Sequence, residues 1–236
     1  MATPLSAAPR YMEAYSAVRE RLADLVRARG CETPVPACPG WRVRDVIAHL
    51  TGLCEDWADG RLDGYASDSW TADQVSRSAG RTCERIVQSW AEAMVPFAGV
   101  DDVLLGSPPA RWAFGDAVVH EADVRGALAA GRVPEDTVLF GLHDTMGRWQ
   151  REILGLADVP TLHVRPPDAR RDWWLGTAED PTAVVVTVPV YDLFRALAGR
   201  RSADQVREWE WSADPEPFID AGLPYPFHWA SAPLSD

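Results

Sequence analysis

The chain of 236 residues contains no lysine and no asparagine, so all 23 of its basic side chains other than histidine are arginine. Without lysine there is no Schiff-base nucleophile, no P-loop lysine and no Ser-Lys dyad. Positive charge is itself in deficit, with 35 acidic residues against those 23 and a formal net charge of -12. A surface that grips phosphate normally carries a basic excess, so nonspecific binding to nucleic acid or anionic membrane is excluded. An anionic substrate would instead need a local arginine cluster. No apolar run approaches the ~18 to 20 residues needed to cross a bilayer. The N-terminal Met-Ala-Thr-Pro-Leu lacks a charged segment followed by an apolar one. Cysteine is scarce: Cys31, Cys38, Cys54 and Cys83 show neither a CxxC pair nor zinc-ribbon spacing. A soluble, cytoplasmic protein with reduced thiols is the expectation.

What is present is enough for real cores, since 47% of the residues are hydrophobic. From Pro9 to Arg29, Tyr11, Tyr15, Val18, Leu22, Leu25 and Val26 recur at three- and four-residue steps, the pattern of an amphipathic helix. Gly30 stops it, and the proline-rich stretch from Cys31 to Gly40 is an irregular connector. A second helix is expected from Val43 to Gly60, then a loop from Leu62 to Trp70, and a single third helix capped by Ser69 or Thr71 and running to Val95. Val100 to Pro109 reads as a connector, Trp112 opens a fourth helix that Gly131 ends, and Asp136 to Ala157 forms a fifth. Long helices with short joins pack naturally as an antiparallel four-helix bundle.

After Asp158 the periodicity changes. Thr161 to Pro166 alternates with period two, Asp172 to Leu175 is aromatic, and Thr182 to Val188 is a β-branched run; all three read as strands. A helix over Val190 to Leu197, closed by Gly199, precedes a last strand at Trp209 to Trp211. The predicted class is α+β: a helical bundle over residues 1–158 and a small α+β domain over 159–236.

Asp116 and His120 stand four residues apart on the fourth helix and therefore project from one face. With His49 of the second helix they form a His, Asp, His set drawn from two helices of one bundle, a recurrent place for metal sites. Three N/O ligands leave a coordination position open, the catalytic rather than the structural arrangement for zinc. Such ligands do not by themselves select Zn(II) over Fe(II), Ni(II), Mn(II) or Co(II). On spacing alone the alternative stays equally open: an isolated i,i+4 pair of Asp116 and His120, with His49 unrelated to it. Asp45 and Asp123 are candidates to orient His49 and His120, and His143 has no polar partner one turn away.

The segment Val35-Pro-Ala-Cys-Pro-Gly-Trp-Arg-Val-Arg-Asp-Val-Ile-Ala-His-Leu-Thr-Gly52 resembles the signature of the mycothiol-dependent maleylpyruvate isomerase family, among the DinB-like metal-binding bundles. Asp116-Ala-Val-Val-His120 followed by Asp123 is similar to its second motif, and Val190-Tyr-Asp-Leu-Phe-Arg-Ala-Leu-Ala-Gly-Arg200 to a helix of its C-terminal domain that ends in Leu-x-Gly-Arg. The resemblance implies that His49, Asp116 and His120 are metal ligands and that Arg200 assists substrate or thiol binding. Arg195 and Arg201 are equally well read as a solvated helix end. Trp41 and Trp112 flank the two motifs as candidate cofactor-pocket residues. Three positions depart from the family pattern. Arg42 stands in place of a capping Thr, Val118 in place of a Trp, and Asp116 in place of Glu.

The implied cofactors are a divalent metal, zinc first, and mycothiol as thiol cosubstrate. A metal-bound thiol is ionised at neutral pH; adding to an unsaturated acid, it isomerises the double bond after rotation and elimination, or transfers the thiol if the adduct persists. No protein cysteine is then needed, and Cys38 and Cys54 read as small buried residues. The expected partners are a small electrophile and a small thiol, with the chain a monomer or homodimer. The alternatives are a metal-hydroxide hydrolase, lyase or cyclase, and a non-catalytic regulatory module on the same bundle.

Overall fold

The computed structural model describes residues 8–100, 109–155 and 158–235, and the chain divides into two compact units, Met1–Val133 and Pro134–Ser235. The first unit is helical: α1 (Ala8–Arg29), α2 (Val43–Asp59), α3 (Asp68–Arg77), α4 (Cys83–Phe97) and α5 (Pro109–Ala127). Contacts of α1 with α5, α5 with α2, α2 with α4 and α4 with α1 close the four long helices into a bundle, while the short α3 lies on α2. The apolar stripe of α1 is buried as its spacing predicts, through Tyr15, Val18, Leu22 and Val26. Of the expected connector at Val100 to Pro109, residues 101–108 lie outside the described residues, as does the expected helix end at Ala157.

The single helix expected up to Val95 is two. Gly80 adopts φ +75°, a left-handed conformation open to glycine. Two residues later Thr82 restarts the chain as an N-cap, accepting a hydrogen bond from the Arg85 N–H at 3.2 Å. The Thr missing at the head of α2 is replaced differently. The carboxylate of Asp45 accepts the Arg42 N–H at 2.8 Å, so Asp45 serves the cap and not His49. The cysteines also depart from the expectation of four reduced thiols: Cys31 and Cys83 form a disulfide, with Cα atoms 6.2 Å apart, and Cys38 and Cys54 are free. Their sequence separation of 52 residues hid this contact between the α1–α2 connector and the start of α4.

The second unit begins earlier than the expected break at 158, because α6 (Glu135–Arg148) packs on α7 (Val190–Leu197). A π-helical turn at Trp149–Leu154 follows α6. The predicted strands appear as β1 (Leu162–Val164), β2 (Trp173–Leu175), β3 (Val184–Thr187) and β4 (Glu210–Trp211). The sheet order is β2-β1-β3-β4, with β1 parallel to β3 and the two outer pairings antiparallel. Two short helices, α8 (Ala203–Arg207) and α9 (Glu216–Ala221), complete the unit. Ala196, Val206 and Ile219 form a core against which Trp209, Trp211 and Trp229 pack. The indole N–H groups of Trp149, Trp211 and Trp229 donate to the carbonyls of Gly222, Val206 and Ile219, so these tryptophans are structural. Arg195 and Arg201 are buried, contrary to a solvated helix end, and Arg201 Nη2 donates to Asp192 Oδ1 at 2.8 Å. His143 is exposed.

Burial of charge holds α1 to α5. Glu121, wholly inaccessible to solvent, accepts both Nε and Nη2 of Arg21, at 2.8 and 2.6 Å, together with Nε of Arg125 at 2.8 Å. Removing one partner of a buried pair leaves the other charge uncompensated. Arg21→Met is therefore expected to lower the unfolding free energy by about 3 kcal/mol, at the lower end of the usual range because Arg125 remains. Denaturant unfolding measures this, and an unchanged midpoint would contradict it.

Candidate metal centre

His49 sits in the middle of α2, a helix whose residues from Val46 to Cys54 are all buried. Asp116 and His120 occupy adjacent turns of α5, on the face that meets α2. The trio converges. His49 Nε2 lies 2.9 Å from Asp116 Oδ2, His120 Nε2 lies 3.7 Å from Asp116 Oδ1, and the two imidazole centroids are 5.2 Å apart and nearly perpendicular. One ligand atom from each of the three residues can be chosen so that all lie within 4.8 Å of one another. Ligands about 2.1 Å from a tetrahedral ion stand about 3.4 Å from each other. The spacing found here needs only small adjustment to match that.

The outer nitrogens are also partnered. His120 Nδ1 lies 3.1 Å from Asp123 Oδ2, which makes Asp123 the orienting carboxylate that its position in the motif suggested. His49 Nδ1 lies 2.7 Å from Gln74 Oε1, and Gln74 Nε2 donates to Asp56 Oδ2 at 2.7 Å. Each imidazole thus points Nε2 into the trio and Nδ1 away from it. Burial works to lower the His49 pKa, but the Asp116 charge, its hydrogen bond and Gln74 together outweigh that and hold it above the ordinary histidine value.

Trp41 closes over the trio, stacked on His120 at 6.1 Å between centroids and tilted against His49 at 5.5 Å. Trp112 lies half-buried one turn before Asp116 on α5. Val118, where the family pattern has a Trp, is fully buried. Cys38 does not simply fill space: its thiol donates to Asp123 Oδ2 at 3.3 Å and lies 3.8 Å from His120 Nδ1. Arg200 belongs to the second unit, where its Nη1 donates to the Ala198 carbonyl at 2.8 Å. Gln74, Asp56 and Cys38 are the neighbours that sequence reasoning missed. The one available signal was Gly52, an isolated glycine inside an apolar helix, which usually marks a close approach.

Fold and trio together define a helical bundle, joined to a small α+β unit, with an imidazole, carboxylate, imidazole cluster inside it. Residues 13–125 match the family model described as the mycothiol maleylpyruvate isomerase N-terminal domain. The matched segment lies within the helical unit. Two crystal structures of the mycothiol-dependent maleylpyruvate isomerase, one of them a mutant, share the fold at a TM-score of 0.57 and 13% sequence identity; the match covers 94% of this chain and 97% of theirs. No curated protein matches the chain. Among the described residues no helix is long and apolar enough to cross a membrane.

Cys54, unlike Cys38, is a core residue. Burial pushes its thiol up to about 12, against hydrogen bonds from Tyr15 and Trp90 that act the other way. At pH 8 iodoacetamide is expected to leave Cys54 unmodified in the folded protein and to reach it only on unfolding. Peptide mass mapping reads this out, and alkylation of native Cys54 at the rate of a free thiol would contradict it.

Proposed function

We propose that the protein is a metal-dependent enzyme in which a small thiol of the mycothiol type attacks an electrophile, isomerising an unsaturated acid or transferring the thiol to it. The observation that supports this reading is the convergence of His49 Nε2, Asp116 and His120 Nε2, two neutral donors and one anion aimed at a common point. The chemistry of that donor set fits Zn(II) and its divalent neighbours. A divalent ion bound there supplies the Lewis acidity that keeps a thiol ionised at neutral pH.

Residues of the chain itself do the remaining work. Asp116 contributes the single negative charge of the set, so the site keeps a net positive charge able to hold a thiolate. Asp123, with the thiol of Cys38 against it, holds the His120 ring by its outer nitrogen. Trp41 shields both rings and keeps bulk water from the reacting sulfur. In the reaction itself a sulfur–carbon bond forms as the π pair of the double bond moves onto the conjugated carbonyl. Rotation about the new single bond and return of the pair expel the thiol and leave the isomer, whereas protonation of the adduct completes a transfer. The guanidinium of Arg200, the arginine that the Leu-x-Gly-Arg resemblance singles out, is suited to bidentate binding of a carboxylate.

Purified protein should carry close to one divalent ion per chain, and His49→Ala, Asp116→Ala and His120→Ala should each weaken metal binding by more than about 100-fold. Elemental analysis with chelator competition decides this; a wild type without divalent metal, or variants that bind equally well, would sink the site. The sign of the pH dependence follows from His49. Its pKa is raised, so a proton competes for Nε2, and affinity should fall as pH is lowered through that value and level off above it. Turnover of an unsaturated acid should require added thiol, and activity retained by metal-loaded protein without thiol would favour the hydrolase or lyase alternative.

A further inference from the structure

Helix α3 buries one residue, and that residue is a glutamine. Gln74 is 1% exposed, as is Asp56, to which it donates. Asp56 also accepts Arg61 Nε at 2.8 Å and Arg77 Nη2 at 2.7 Å, three donors on one carboxylate that has only acceptors to offer. That arrangement settles which way the Gln74 amide faces. Its NH2 must point to Asp56, so its carbonyl oxygen must point to His49, and an acceptor 2.7 Å from Nδ1 requires a hydrogen on that nitrogen.

The consequence falls on the other side of the ring. In a neutral imidazole with its hydrogen on Nδ1, Nε2 carries a bare lone pair, here 2.9 Å from a carboxylate oxygen. Two acceptors at that distance repel unless a cation lies between them, a proton at low pH or a metal ion in its place. We propose that Asp56 and Gln74 form a positioning pair that fixes the hydrogen on Nδ1 of His49 and so reserves Nε2, together with Asp116, for a cation. This rests on the metal reading above and adds to it residues that touch neither metal nor substrate.

The backbone is arranged to admit the pair. A Cβ built on Gly52, one turn along α2 from His49, would stand 2.6 Å from Gln74 Cβ and 2.7 Å from its Cγ, so the glutamine reaches His49 only because position 52 has no side chain. Arg61 and Arg77 flank Asp56 and compensate a charge that would otherwise be buried alone.

The test needs histidine labelled with ¹⁵N and zinc as the probe metal. In metal-free wild-type protein held above the His49 pKa, long-range ¹H–¹⁵N correlation should show a hydrogen on Nδ1 of His49 and none on Nε2. In Gln74→Met the hydrogen should move to Nε2, where Asp116 is the remaining acceptor. Zinc affinity, read by chelator competition, should fall about 10- to 100-fold in Gln74→Met and in Gly52→Ala, with the melting temperature of metal-free Gln74→Met close to wild type. A bare Nδ1 in the wild type overturns the proposal, as does wild-type zinc affinity in folded Gln74→Met. If Gln74→Met does not fold, the wild-type spectrum decides alone. Failure of the wild type to bind zinc would remove the metal reading, and the Nδ1 hydrogen would still decide this one.

Discussion

Polar side chains inside a helical bundle are costly unless their donors and acceptors are matched, and that constraint orders the candidate site of this protein. His49, Asp116 and His120 face one another where α2 meets α5, and each imidazole is held from behind by a different partner. Asp123 comes from the next turn of the same helix, a local solution. Gln74 comes from a separate short helix and is itself held by Asp56, Arg61 and Arg77. A third buried carboxylate, Glu121, follows His120 directly and ties α5 to α1 through Arg21. The helix carrying two of the proposed ligands is thus fixed on both sides by ion pairs and hydrogen bonds that leave it little freedom to rotate.

Such precision suits the chemistry proposed for the site. A site that takes a metal and then a thiol must present lone pairs, not hydrogens, to the incoming ion, and must keep water from the sulfur afterwards. Two hydrogen-bonded Nδ1 atoms meet the first requirement, and the ring of Trp41 across both imidazoles suits the second. The carboxylate of Asp116 stands 2.9 Å from His49 Nε2 and 3.7 Å from His120 Nε2, so the set is asymmetric. The second unit is built by other means. Its sheet is small, and its core relies on tryptophans whose indole nitrogens are each satisfied by a backbone carbonyl.

Much of the architecture was legible in the residues because it rests on short-range periodicity. The three-and-four spacing of Tyr15, Val18 and Leu22, the alternation from Thr161, and the β-branched run ending at Val188 each became the element they predict. The errors fall where a local conformation or a distant contact outweighed that pattern. Gly80 and Thr82 broke one long apolar stripe into α3 and α4. The packing of α6 on α7 moved the boundary between units from 158 to 133, since a helix belongs with whatever its apolar face covers. Arg195 and Arg201, for which a solvated helix end is one of two readings, are buried.

By itself the sequence supplied the candidates: two histidines and an aspartate, one pair four residues apart on a helix, in a protein without lysine to serve another chemistry. It also offered Asp123 as a candidate partner of His120, because three residues along a helix is a distance that sequence can measure. Only the tertiary structure decided that His49 meets Asp116, that Asp45 caps α2 instead of serving His49, and that Gln74 stands behind it. It alone joined Cys31 to Cys83 and brought Cys38 to Asp123. The physical reason is common to all of these. Each is a contact between elements, set by how helices pack and by which buried polar atoms remain to be matched, and no spacing along the chain encodes it.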